Sequence, residues 1–137
     1  MHDSFRRMLF AKIHGAIVTE ANLDYEGSIT IPEDILERTG MLPNEAVWVW
    51  NITSGTRFET YILKGQRGSK EFHVNGAAAH LASPGDKVII ASFVTLPHER
   101  ALTHSPTVVF IGADNTIADI RDEQPKKMIT VHKSACP

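Results

Sequence analysis

The chain has 137 residues, enough for one domain around a single buried core. Hydrophobic residues make up 42% and charged residues 22%, as in ordinary globular proteins, and a formal net charge of -2 gives no general attraction for nucleic acid. The single cysteine, Cys136, excludes an internal disulfide framework and a multi-thiolate metal site. The longest apolar run, Val88 to Val94, has the length of a buried strand and not of a membrane span. Residues 1–10 carry Arg6 and Arg7 but lack the apolar stretch and small-residue cleavage site of a secretory signal, so a cytoplasmic setting without membrane attachment is expected.

In chain order, Met8 to Thr19 reads as strand broken by Lys12 and His14, and Ser28-Ile29-Thr30-Ile31 is a β-branched strand. Pro32 to Arg38 begins with Pro and two acids and stops at Gly40, which predicts one short helix with Pro32 at its first position. Ala46–Asn51 and Arg57–Leu63 flank Thr53-Ser54-Gly55 as the arms of a hairpin. Further strands are expected at Glu71–Val74, Asp86–Thr95 and Thr107–Ile111, joined by Lys64–Gly68 and Ser83-Pro84-Gly85-Asp86, which carry turn chemistry. Periodicity fades from Asp114, and residues 114–137 are expected to form a weakly ordered tail after a domain at 1–113. Six or seven short strands with one or two small helices predict an all-β fold closed into a barrel, since closure removes exposed strand edges.

Tyr25-Glu26-Gly27-Ser28 holds the chemistry. Alone, Gly-Ser is an ordinary turn dipeptide. A serine hydroxyl next to its own preceding carbonyl can nonetheless attack Gly27 and shift the acyl group from nitrogen to oxygen. Gly27, lacking Cβ, is expected to tolerate a strained backbone there. β-Elimination of the ester leaves dehydroalanine at position 28, and hydrolysis with loss of ammonia yields a pyruvoyl ketone. Such a ketone performs the electron-sink work for which other enzymes recruit pyridoxal phosphate. Lys12 and His14 are two residues apart and share a face of a strand, as do Arg57, Glu59 and Tyr61. Thr60 points the other way, so one pocket holding both Thr60 and Tyr61 needs a twist, a bulge or a site shared between subunits. Without further context Lys12 and Arg57 are surface cations, Asn75-Gly76 is a turn, and Trp50 is expected in the core. The seven histidines show no metal-ligand spacing, so no metal site is expected.

Lys12-Ile13-His14, Tyr25 to Ile31, Asn51 with Gly55 to Tyr61, and Asn75-Gly76-Ala77-Ala78-Ala79 occur together and in this order. The set resembles the aspartate 1-decarboxylase family over Met8 to about Thr95, with Pro32 standing where an acid is expected. The resemblance implies a six-stranded double-psi β-barrel, a homotetramer, and a proenzyme that cuts itself between Gly27 and Ser28. It also implies conversion of L-aspartate to β-alanine for pantothenate synthesis, through a covalent pyruvoyl group made from Ser28, without metal or pyridoxal phosphate. Thr60 is implied in the cleavage step, hydrogen-bonding the Gly27 carbonyl. The histidine matching His14 lies close to the substrate, and Asn75 is the implied donor to an oxyanion. Gly76, Ala77 and Ala78 are implied near the substrate, the last two through their amides. Chemistry adds Arg57 and Lys12 as carboxylate-binding cations and Tyr61 as the acid that returns a proton after decarboxylation. Whether a helper protein assists maturation is left open.

A second resemblance competes. Ile29 to Arg38 followed by Asn44 to Trp50 resembles the swapped-hairpin module of AbrB-like DNA-binding regulators. Between Glu26 and Asn51, however, Arg38 is the only basic residue against Glu26, Glu33, Asp34, Glu37 and Glu45, so the basic footprint of a DNA binder is missing.

Overall fold

Alternation along the long apolar segments decides the architecture. The computed structural model describes residues 4–122. Within them lie nine strands: β1 (Phe5–Ile17), β2 (Glu20–Asn22), β3 (Ser28–Pro32), β4 (Ala46–Asn51), β5 (Arg57–Gly65), β6 (His73–Asn75), β7 (Lys87–Pro97), β8 (Thr107–Ile111) and β9 (Ile117–Asp122). They form one mixed sheet in the order β2-β6-β3-β5-β4-β7-β1-β8-β9. The all-β class with two short helices is as expected, with more strands among the described residues than the six or seven predicted. No helix among the described residues is long and apolar enough to cross a membrane.

Strand register sorts the residues into two faces. Phe58, Val49, Ile90, Ile13 and Val109 stand opposite one another across five adjacent strands, and all are buried. Each side chain of this kind contributes about 1.5–3 kcal/mol by leaving water. The neighbouring rows point to the other face: Arg57, Trp50, Ile89, His14 and Phe110 in one, and Glu59, Trp48, Ala91, Lys12 and Val108 in the next.

The predicted helix is α1 (Glu33–Thr39), with Ile35, Leu36 and Thr39 buried and Gly40 closing it in the left-handed region at φ 78°. Pro32 is the last residue of β3 and the N-cap, one position before the predicted place, because its backbone is still extended (ψ 139°). A second helix, α2 (His98–Ala101), follows β7.

Order does not stop at residue 113. A 3-10 turn at Ala113–Asn115 leads into β9, which pairs with β8. Asn115 anchors the turn. Its buried side chain accepts from the Ile17 amide at 2.8 Å and donates to the carbonyls of Ile17 and Lys70 at 2.9 and 3.0 Å. The rest of the predicted tail lies outside the described residues.

Candidate active site

Ser28 opens β3 and is wholly buried. Antiparallel pairing of β3 with β6 sets Ser28 opposite Asn75. Ser28 Oγ donates to the Glu26 carbonyl at 3.0 Å and accepts from Asn75 Nδ2 at 3.0 Å. Thr30 shares the Ser28 side of the strand, and Asn75 Nδ2 reaches its Oγ1 as well, at 3.2 Å. Asn75 is therefore an extended strand residue and a direct partner of the hydroxyl, where its dipeptide suggests a turn, a contact between distant strands that no local pattern announces.

An open cleft of about 410 Å³ adjoins this junction and is bordered by Gly27, Thr60, Tyr61, Ala77, Ala78 and Leu81. Thr60 stands opposite buried Val47 and Tyr61 opposite exposed Ala46, so they face opposite ways as parity requires. They meet at one cleft without a bulge. β5 lies between β4, which it pairs along Arg57–Tyr61, and β3, which it pairs only from Ile62, so its β3-side edge has no strand partner at Thr60 and Tyr61. Ala77 and Ala78 lie in the first turn of the 3-10 segment Gly76–His80, where amides have no partner within the turn.

Gly27 differs from expectation. Its φ lies outside the left-handed region, and a Cβ there would meet only the Asn75 carbonyl oxygen at 3.9 Å. Its backbone is not forced into a conformation that needs glycine.

Asn51 and Thr56, quoted only as motif positions, build the rim. Asn51 Nδ2 donates to the Leu81 carbonyl at 3.1 Å and to Asp86 at 2.8 Å, and Thr56 Oγ1 donates to the same carbonyl at 2.7 Å. The Asn-then-turn pattern was the available signal. Accepting from Asn51 and from the Ser83 amide holds the Asp86 carboxyl below its ordinary range.

Lys12 and His14 on β1 and Arg57 on β5 lie on the outer rows of the sheet, with β7 and β4 between them. The Arg57 guanidinium sits 5.6 Å from the Trp50 ring, Trp50 lies 6.4 Å from Phe93, and Arg7 covers Phe93 at 4.7 Å. Arg57 borders a hollow shared with Arg7, Trp48, Trp50 and Phe93, separate from the Tyr61 cleft. Trp50 is thus not in the core. In Val47-Trp48-Val49-Trp50 the two valines take the buried face.

His14 lies with its ring 5.6 Å from that of Phe110, and its buried Nδ1 makes no hydrogen bond. Burial, reinforced by the positive charges of Lys12 and Lys87, lowers its pKa below the usual 6.5. The unfolded chain therefore binds this proton more readily. The stability involved is complete above about pH 6.5 and is lost as pH falls below it. Urea midpoints from about pH 7.5 to about pH 5 should fall less steeply for His14→Gln than for wild type; equal slopes would remove His14 as a cause.

The family model described as "Aspartate decarboxylase" matches residues 4–118, nearly every described residue. The chain belongs to the aspartate decarboxylase family. The chain is 56% identical over 121 residues to the aspartate 1-decarboxylase of Legionella pneumophila (strain Lens), covering 88% of this chain and 91% of the relative. Against that of Anoxybacillus flavithermus it is 49% identical over 88% of this chain and 95% of the relative. Against that of Myxococcus xanthus identity is 53% over 113 residues, covering 82% and 87%. The match runs from before β1 into β9, so it takes in every candidate site residue and the whole strand-helix-strand segment that resembled a DNA-binding module. That segment is therefore part of the decarboxylase fold.

Proposed function

We propose that this chain is a self-processing, pyruvoyl-dependent aspartate 1-decarboxylase that turns L-aspartate into β-alanine and carbon dioxide, on a double-psi barrel assembled as a cytoplasmic homotetramer, supplying pantothenate synthesis. One observation carries the reading. In a chain of this family, a buried serine hydroxyl is hydrogen-bonded on both sides and directly follows a glycine that borders a cleft.

Maturation uses the chain's own atoms. Ser28 Oγ adds to the Gly27 carbonyl carbon, the Gly27–Ser28 C–N bond breaks, and the hydroxyl proton ends on the freed Ser28 amine. Asn75 orients the oxygen, and Thr60, across the cleft, donates to the carbonyl oxygen as negative charge develops there. Loss of the Ser28 Cα proton expels Gly27 as a carboxylate. One water enters the remaining dehydroalanine and one ammonia leaves. A pyruvoyl ketone at this position supplies an electron sink for a departing carboxylate. Ser28 is buried and follows Gly27, which borders the open cleft, so a group at position 28 stands on a fixed wall one residue from that cleft. The reading calls for neither a metal nor pyridoxal phosphate.

Tyr61 delivers the proton that replaces carbon dioxide. Gly76, Ala77 and Ala78 position the substrate with backbone groups, and Arg57 and Lys12 bind carboxylates with His14 beside them. Within one chain Arg57 borders a different hollow from Tyr61, which supports a site completed by a neighbouring copy that brings its outer rows to the Tyr61 cleft.

Intact mass under denaturing conditions tests the proposal. Mature protein should separate into residues 1–27 and 28–137, the latter blocked to Edman degradation because a ketone replaces its amine. Only uncut chain after prolonged warm incubation, with and without cell extract, would overturn it. Arg57→Lys keeps the charge but loses the planar fork, so cleavage should continue while KM for aspartate rises about 10- to 100-fold, the equivalent of about 1.5–3 kcal/mol for one charge-assisted hydrogen bond. An unchanged KM would return Arg57 to an ordinary surface cation stacked on Trp50.

A further inference from the structure

The geometry points to Gly76 as a positioning residue for self-cleavage: the side chain it lacks is what allows the scissile Gly27 to sit beside the Ser28 hydroxyl. This inference rests on the self-processing reading above and adds the residue that fixes the geometry of its first step.

Gly76 follows Asn75 at the end of β6 with φ +69°. An L-residue's Cβ there would stand 2.5 Å from both Gly27 Cα and Gly27 N, and 2.7 Å from the Tyr25 carbonyl oxygen. All three are backbone atoms, so no side chain can swing aside. Ordinary Cβ contacts begin near 3.4 Å, so relief requires a displacement of about 1 Å.

The two sides of this contact are not equally free to move. Asn75 is paired in register with Ser28, buried, and tied by its side chain to Ser28 and Thr30. The opposite side is the surface segment before β3, where Leu23 is 55% and Tyr25 60% exposed. A methyl group at 76 therefore pushes the 25–27 segment outward, taking the Gly27 carbonyl and the Glu26 carbonyl with it, while Asn75 still holds Ser28 Oγ from the other side. A misplacement of about 1 Å between reacting atoms is enough to slow a step about 10²-fold. Gly27, by contrast, has room for a Cβ of its own, so the glycine that the junction requires for packing is the one across from it.

An internal control separates this contact from the conformational penalty of a positive φ. Gly55 has φ +81°, and a Cβ there meets nothing within 4 Å. Gly55→Ala thus carries the backbone strain of Gly76→Ala without the contact.

The test follows freshly purified full-length wild type, Gly76→Ala and Gly55→Ala by intact mass at one temperature, with thermal melts and with portions treated with hydroxylamine, which captures a Gly27–Ser28 ester. The expected result is cleavage at least about 10²-fold slower for Gly76→Ala, with no hydroxylamine-sensitive ester and a cooperative melt close to that of Gly55→Ala, which cleaves like wild type. Three results would overturn the inference. Cleavage of Gly76→Ala within about threefold of wild type removes the contact as a determinant. Ester accumulation in that variant places its defect after the acyl shift. Loss of a cooperative melt makes Gly76 a folding residue. If wild type itself stays uncut, the self-processing reading fails first and this inference with it; cleaved wild type beside normally cleaving Gly76→Ala sinks the inference alone.

Discussion

Ser28→Ala should leave one uncut chain and no detectable formation of β-alanine. The substitution removes the only atom that can attack Gly27, and with it the precursor of the ketone, so both maturation and turnover vanish together. Folding should survive. Ser28 is buried, and alanine fits inside its volume. The hydrogen bonds lost are those to the Glu26 carbonyl and from Asn75. Asn75 Nδ2 keeps Thr30 Oγ1 at 3.2 Å, so its amide is not stranded without a partner. The cost is about 1–2 kcal/mol, small beside a typical folding stability of about 5–15 kcal/mol. Intact mass, circular dichroism and a β-alanine assay on the same preparation check all three parts. A Ser28→Ala chain that still releases residues 1–27 would place the nucleophile elsewhere.

Tyr61→Phe and Thr60→Val should fail at different stages, because the two side chains leave opposite faces of β5 and reach the cleft separately. Tyr61→Phe keeps the ring against its neighbours and loses the phenolic proton. Cleavage should proceed, and decarboxylation per pyruvoyl group should fall about 10²–10⁴-fold, the usual contribution of a placed general acid. Thr60→Val keeps the branched shape on the row of Val47 and loses the hydroxyl. That protein should fold and remain largely uncut, since no donor would meet the charge developing on the Gly27 oxygen. Normal turnover by cleaved Tyr61→Phe would move the acid to Tyr25 or to a bound water. Two misfolded, uncut variants would make this stretch of β5 structural and withdraw both roles.

What the sequence determined by itself is local or chemical. The β4–β5 hairpin could be read around Thr53-Ser54-Gly55, and α1 from its acids and Gly40, because turn geometry and helix ends depend on a few adjacent residues. Gly27-Ser28 could be read as a reactive pair because the hydroxyl and carbonyl are covalent neighbours, and the Lys12–His14 and Arg57–Tyr61 faces followed from a period of two. The tertiary structure decided the rest. In Val47-Trp48-Val49-Trp50 every residue is apolar, so alternation gives two faces but not which is inward; pairing with β7 turns the valines in and leaves Trp50 beneath Arg57. β9 pairs with β8 after a turn that Asn115 ties to Ile17 and Lys70, far away in the chain. Thr60 and Tyr61 share a cleft where the β3-side edge of β5 has no strand partner, since β3 pairs with β5 only from Ile62. Asn75 and Gly76 hold the two sides of the scissile bond because β3 and β6 are brought into register across an intervening stretch of chain. Such contacts arise from long-range strand pairing, and no property of Asn75-Gly76 as a dipeptide encodes which serine it will meet.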